Sequence, residues 1–244
     1  MRRWGARQHF CTKPWSDRVE VWWADGVEAY ITPSSESRVE VAFLWDEAVF
    51  EPPDRGKNLV TSMLALFPAL QAQLSDDLDA PVSPAAAMGP LAVAARGAAS
   101  DRVLLVGDAL GYVDGITGEG ITAGLLQAEA VARFLPKLLA GDSMDERSLR
   151  RVSKPVEAIF HETVPLAQAA LLLSRYPRLR RLVIRGMSRA SGLFTHLLEL
   201  NMGRTRWYRV SPVTLLQFLG GLLVPKKHQR SIDVSMVQQV NAAK

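Results

Sequence analysis

Val103-Leu-Leu-Val-Gly107-Asp108-Ala-Leu-Gly111-Tyr-Val-Asp114-Gly115-Ile-Thr-Gly118-Glu119-Gly120-Ile121 is the stretch on which the reading of this 244-residue chain turns. It opens with Arg102-Val103-Leu104-Leu105-Val106, an apolar run of strand length that predicts a strand buried on both faces of a parallel sheet. Open parallel sheets place their ligands at the carboxyl ends of the strands, and that end here carries Gly107 and Asp108. The Asp108 carboxylate would accept hydrogen bonds from a polyol. Gly111, Gly115, Gly118 and Gly120 lack Cβ atoms, so the backbone can come close to a flat ring or a phosphate. A helix follows over 118–139, its apolar face marked by Ile121, Leu125, Ala128, Ala132 and Leu135 and its end by Gly141. Such a helix aims free N–H groups and the positive end of its dipole at whatever the glycine turn holds.

Upstream the pattern changes to short β-branched and aromatic runs, Arg18–Trp23, Val27–Thr32 and Arg38–Leu44, separated by the turns Ala24-Asp25-Gly26 and 33–37. Val19, Val21 and Trp23 alternate with more polar neighbours, as do Val39, Val41 and Phe43, which predicts a half-buried antiparallel meander. Its second face is expected to be wet or to cover a ligand, with Trp22, Trp23 and Tyr30 as packing or as a substrate wall. Helical spacing through Leu59, Met63, Leu66 and Phe67 predicts a helix over 57–70, and Pro81, Pro84, Gly89 and Pro90 mark the connection to the glycine segment. From Leu149 onward the pattern is helical, with breaks expected at Pro155, Pro165, Pro177, Pro212 and Pro225.

Composition bounds the function. With 48% hydrophobic and 22% charged residues the chain can bury a real core, which excludes global disorder. Lone Cys11 excludes an internal disulfide framework and any multi-cysteine metal site, and no apolar leader follows Met1, which favours the reducing cytoplasm. His9, His161, His196 and His228 are too scattered for a metal-ligand set. The late apolar run Val213 to Val224 has twelve residues, short of the roughly 20 that a membrane span requires. The net charge of +4 conceals an asymmetry: residues 1–149 hold 13 Lys/Arg against 21 Asp/Glu, whereas 150–230 hold 15 against 3. That basic block suits a solvated or internally paired helical face first and a membrane surface second, and nucleic acid is not expected.

The segment GDALGYVDGITGEGI followed by TAGLLQAEAVARFL resembles the second FAD-binding motif of the flavoprotein monooxygenase and geranylgeranyl reductase superfamily, the para-hydroxybenzoate hydroxylase fold. The family pattern is a strand, Gly-Asp-Ala-Ala-Gly, an Asp-Pro, then Gly-Glu-Gly-Ile and a long Ala-rich helix; Gly115 stands here where that proline would follow Asp114. RWGARQHF and VEAYITP similarly resemble the substrate-domain sheet, and the basic tail resembles the C-terminal region. The resemblance implies a mixed α/β (α+β) fold, a partial Rossmann-like FAD-binding domain with an antiparallel substrate sheet. The implied parts are residues 1–95 (meander and helix), 96–145 (second half of the FAD domain) and 146–244 (basic helices). It implies a cofactor site at Gly107, Asp108, Gly111, Gly118, Glu119, Gly120 and Ile121, with Asp108 on the ribityl or pyrophosphate region and 118–121 on the pyrimidine edge of the flavin.

Function follows as an FAD-dependent oxidoreductase, monooxygenase or reductase, acting on an apolar organic substrate held between meander and flavin, with NAD(P)H as a compatible electron donor. No catalytic acid or base stands out, as expected where a flavin does the chemistry. Family members begin with a strand–GxGxxG–helix unit that the first hundred residues here lack. The chain is therefore expected to be a C-terminal portion that relies on an N-terminal half or a second copy, its strand 103–106 otherwise lacking partners. The alternative is a remnant or interaction protein that binds no FAD on its own. Peripheral membrane contact through Val213–Val224, flanked by Arg204, Arg206, Arg209, Lys226 and Lys227, is a further expectation.

Overall fold

The computed structural model describes residues 2–53, 56, 59–74, 81–100, 102–141, 145–201, 205, 207–223 and 236–238. They divide into two units, one within Met1–Leu91 joined by the strand Met236–Gln238, the other within Ala92–His228. The architecture is mixed α/β, with an antiparallel sheet in the first unit and mainly helices in the second.

The first unit contains β1 (Arg3–Phe10), β2 (Val19–Ala24), β3 (Val27–Ser35), β4 (Arg38–Asp46), α1 (Leu59–Leu64), α2 (Pro68–Gln73) and β5 (Ala86–Met88). With β10 (Met236–Gln238) the strands form one antiparallel sheet in the order β10-β2-β3-β4-β1-β5. The meander pairs as expected, and RWGARQHF adds β1 alongside β4, from Arg3 opposite Asp46 to Phe10 opposite Val39. Residues directly opposite one another share a face. Val39, Val41 and Phe43 therefore join Ala6, Phe10, Ala29 and Ile31 in a core closed by Leu59, Val60, Met63 and Leu64 of α1 and Leu70 of α2. Full burial of each large apolar side chain contributes about 1.5–3 kcal/mol.

Two details of this unit depart from the expected pattern. In β2 the core side is that of Trp22 and Ala24, which stand opposite Ala29 and Val27, whereas buried Val21 faces the other way. Trp22 can face the core because its indole N–H donates to Glu20 at 3.2 Å. The expected helix over 57–70 is two short ones, broken at Phe67 (φ −127°, ψ 70°), because a residue before proline is pushed out of the helical region. Residues Lys57 and Asn58 lie outside the described residues. The face away from the helices buries an ion pair, Arg3 Nη2 to Glu28 Oε2 at 2.6 Å, with side chains 3% and 1% exposed.

In the second unit β6 (Val93–Ala94), β7 (Ala99–Ser100), β8 (Val103–Leu104) and β9 (Gly111–Tyr112) precede α3 (Gly120–Leu139), α4 (Glu146–Arg175), α5 (Pro177–Met187), α6 (Ser191–Asn201) and α7 (Pro212–Leu223). The predicted doubly buried parallel strand is not what forms. Val93 pairs with Tyr112, Ala94 with Gly111, Ala99 with Leu104 and Ser100 with Val103, all antiparallel, so 93–112 folds back as one irregular hairpin. Residues 103–106 form its returning arm, and Val103 is half exposed. The nearest stretch of chain supplies the ladder bonds, which satisfies the backbone groups without a parallel neighbour. Among the described residues every strand pairing is antiparallel.

Helix α3 forms where its periodicity predicts, but the buried face differs from the apolar stripe. Ile121 is 82% and Leu125 67% exposed, and Ala128 and Ala132 are exposed too. The side that packs holds Gly124, buried Gln127 and Val131, because small residues and an amide let α3 sit close to the glycine turn. α4 also departs from expectation by running through Pro155 and Pro165. Each proline removes the N–H that would serve the carbonyl four residues earlier, and those residues, Arg151 and His161, are exposed to water. Pro177 and Pro212 do start α5 and α7, while Pro225 lies outside the described residues. By length and composition Arg147–Arg175 is long and apolar enough to cross a membrane, and only 11% of its apolar stretch is buried, although Leu149, Val152, Val156 and Ala167 on it pack within the unit. Buried Arg180 donates to Ser174 O at 3.2 Å, which serves the carboxyl end of α4, and α5 crosses α7 at Gly186 and Gly221, where a Cβ on Gly221 would lie 2.9 Å from the Gly186 Cα.

Candidate functional site

The glycine segment forms one wall of a cleft in the second unit. Gly107, at φ +59°, opens a short 3₁₀ turn, Gly107–Ala109, and takes the left-handed conformation that a side chain would resist. Its N–H donates to Gln127 Oε1 at 2.6 Å, and Gln127 Nε2 donates to Val156 O at 3.1 Å, so one buried amide fastens the turn to both α3 and α4. A second 3₁₀ turn, Gly115–Thr117, is capped by Asp114, whose Oδ1 accepts from Ile116 N at 3.0 Å. From α4, Glu157 accepts from Ala98 N at 3.2 Å, and the Phe160 ring covers the glycine hairpin.

Five of the seven residues singled out from the sequence, Gly107, Asp108, Gly111, Glu119 and Gly120, line this cleft, together with Tyr112, Asp114, Thr117, Gln127, Phe160, Thr163 and others. Two do not. Gly118, at φ +70°, is the left-handed end of the second turn with open space around it, and Ile121 points to solvent. Gly111 has a different reason to be glycine from the one expected, because a Cβ there would meet the Phe160 ring at 2.8 Å, inside the protein. At Gly120 a Cβ would stand 3.4 Å from the Tyr112 ring and 3.6 Å from Asp108 Oδ1, in the cleft itself. The sequence reading missed Gln127, Phe160 and Thr163. Gln127 had a signal, an amide one turn beyond Gly124 and set between Leu126 and Ala128.

The electrostatics are those of an acceptor-rich cleft at a helix start. Asp108, Asp114 and Glu119 all line it. Burial pushes Glu119 up to about 7, and the Thr117 hydroxyl pulls weakly the other way. Its Oε2 is buried without a hydrogen-bond partner in the structure, and it stands at the N-cap of α3 without capping it. Burial, then the charges of Asp114 and Asp108, raise Tyr112 to about 12, so its phenol stays protonated. Such a cleft offers carboxylate acceptors, a phenol donor and helix N–H donors to a polyhydroxyl chain. Its volume, about 30 Å³, admits a hydroxyl or two and no ring. The first unit holds a separate cavity of about 510 Å³, walled by Trp4, Trp45, Phe50, Pro52 and Leu59 with Glu47 and Glu51 at its edge.

No protein-family model matches the chain, and no curated protein matches it. Solved structures do. A flavoprotein/dehydrogenase from Cytophaga hutchinsonii is similar with a TM-score of 0.60 and 16% identity, covering 74% of this chain and 44% of that one. A variant of the halogenase PltM in complex with FAD has a TM-score of 0.60 at 12% identity, over 81% of this chain and 44% of that one. The peptidyl tryptophan dihydroxylase QhpG has a TM-score of 0.51 at 18% identity, over 69% and 39%. The chain thus spans less than half the length of these proteins, and over that span it shares their fold.

Proposed function

We propose that this chain is the flavin-contacting portion of an FAD-dependent oxidoreductase, of monooxygenase or reductase type, that acts on an apolar organic substrate. The observation that carries the reading is the convergence of Gly107, Asp108, Glu119 and Gly120 on one cleft at the start of α3. The fit to the cofactor is good in kind: Glu119 Oε2 is a buried acceptor with no partner, and the open side of Gly120 is a space that a Cβ would narrow. Asp108 would accept from a ribityl hydroxyl, and the Tyr112 phenol would donate to one. Three carboxylates around the cleft favour hydroxyl donors over the anionic pyrophosphate. FAD bound there would supply acceptance of a hydride or electron pair, and the chain would supply orientation and electrostatics. Half-buried Trp23 and Tyr30, on the face away from the core that takes Trp22, and the apolar cavity of the first unit support an apolar class of substrate.

The test is FAD titration of the purified chain followed by flavin fluorescence. Binding is expected, and Asp108→Ala should weaken it roughly tenfold or more, the usual cost of losing a hydrogen bond to a charged group. No binding by the parent chain, or equal binding by the variant, overturns the reading.

A further inference from the structure

Helices α5 and α7 carry two features that the flavin reading does not use. On α5, Arg178, Arg181 and Arg185 recur at spacings of 3 and 4 and so form one row along the helix, and Arg189 follows two residues beyond its end. Arg178, Arg181 and Arg189 are exposed and Arg185 partly so, and among the described residues no carboxylate pairs with any of them. On α7, Val213, Leu216, Gly220 and Leu223 form a second row that faces away from α5, with Leu216 69% and Leu223 82% exposed. Leu215 and Leu219 widen it. Just past the end of α5, Arg189 Nη1 donates to Gly220 O of α7 at 3.4 Å. The Gly186–Gly221 crossing packs the two helices together, so the arginine row and the leucine stripe belong to one joined pair.

An apolar stripe beside a row of cations has the chemistry of a surface that is apolar below and anionic above. We propose that the α5–α7 pair docks on an anionic lipid surface, with the α7 stripe at the boundary between headgroups and acyl chains and the α5 arginines on the lipid phosphates. The flanking cations expected from the sequence enter only in part. Arg209 is exposed, whereas Arg204, Arg206, Lys226 and Lys227 lie outside the described residues. The proposal is independent of flavin binding, since none of these residues lines the cleft.

Flotation of the full chain with phosphatidylcholine vesicles, with and without phosphatidylglycerol, tests it. The chain should float with the anionic vesicles at low salt and remain behind with the neutral ones. Raising the salt should release it, as the Debye length falls from about 10 Å at 0.1 M to about 3 Å at 1 M. Arg181→Gln with Arg185→Gln should lower the partition coefficient roughly tenfold or more, and Leu216→Ser with Leu223→Ser should do the same, both with an unchanged circular dichroism spectrum. No flotation at low salt, equal flotation with neutral vesicles, or flotation indifferent to both double variants overturns it. So does retention by duplex DNA without any by vesicles. A dimer that the leucine variant disperses, without lipid binding by the parent, would assign the face to a second copy and overturn it as well.

Discussion

The two units close their cores differently. In the first, Phe10, Val41, Phe43, Met63, Leu64 and Leu70 are fully buried by elements of that unit. In the second, among the described residues, Ala98, Leu110 and Val156 form one buried cluster, with Ile116, Leu149, Val152, Ala167 and Ala190 also buried, while α3 and α7 leave Ile121, Leu125, Leu216 and Leu223 open. The second unit adds single polar fastenings: Gln127, Glu157 and Arg180 each bind backbone groups of another element or helix end. A sheet covered by helices hides its apolar surface as it forms. A hairpin laid against long helices leaves helix faces free to meet something else.

The largest test of this contrast lies in the first unit. Glu28→Ala removes a carboxylate from the buried pair with Arg3 and should cost about 3–5 kcal/mol, read from urea unfolding. If the loss is under 1 kcal/mol, the pair is not holding the sheet. In the second unit, Gln127→Leu strands the Gly107 N–H, for about 1–3 kcal/mol where water does not reach it, while the Val156 carbonyl keeps its donor within α4. Hydrogen exchange on the same variant should show Gly107 and its neighbours exchanging faster while β3 and β4 keep their protection; uniform loosening would mean that the two cores are not separable.

A smaller effect is expected from pH. Glu119 is raised from 4.5 to about 7 in the folded chain, so its neutral form fits the cleft and its charged form does not. Its contribution to stability is therefore fully present below about pH 4.5 and is lost as pH rises through about 7. Relative to the parent, Glu119→Gln should gain thermal stability between those values; a parallel pH dependence in the two proteins would remove the assignment. The smallest change is expected on the open face of α3. Ile121→Ser with Leu125→Ser should alter the stability of the chain by no more than about 0.5 kcal/mol per site, the usual limit for surface positions. A loss of several kcal/mol would show that this face is covered in solution.

The meander was legible because strand alternation and turn residues are local signals, and Val39, Val41 and Phe43 do face the core. β1 was legible only through the resemblance of RWGARQHF to the substrate-domain sheet, since its residues mix charge with bulk and it is held by its register with β4. The glycine segment showed where a cleft would form, because turn glycines and a helix start are also local. It could not show that the apolar run before it would turn back on residues 98–100, since an apolar run looks the same whichever strand it meets. Periodicity located α3 to within two residues yet named the wrong side, because Gly124 and Gln127 pack through fit and hydrogen bonding, which a hydrophobic pattern does not record. Pro155 and Pro165 misled for a similar reason: a proline breaks a helix only where the orphaned carbonyl has no other donor.

The crossing of Gly186 and Gly221 has a consequence for the medium in which these helices can stay paired. A Cβ at Gly221 would also stand 3.1 Å from the carbonyl oxygens of Arg185 and Gly186, so backbone lies directly on backbone with room for Cα–H···O contacts. Leucine contacts are driven by the expulsion of water and lose that drive in oil. Close backbone contact relies on dispersion and weak polar attraction, which persist there. The α5–α7 joint is thus of a kind whose cohesion does not depend on the solvent around it, and an alanine at either glycine would wedge it open in water and in hydrocarbon alike.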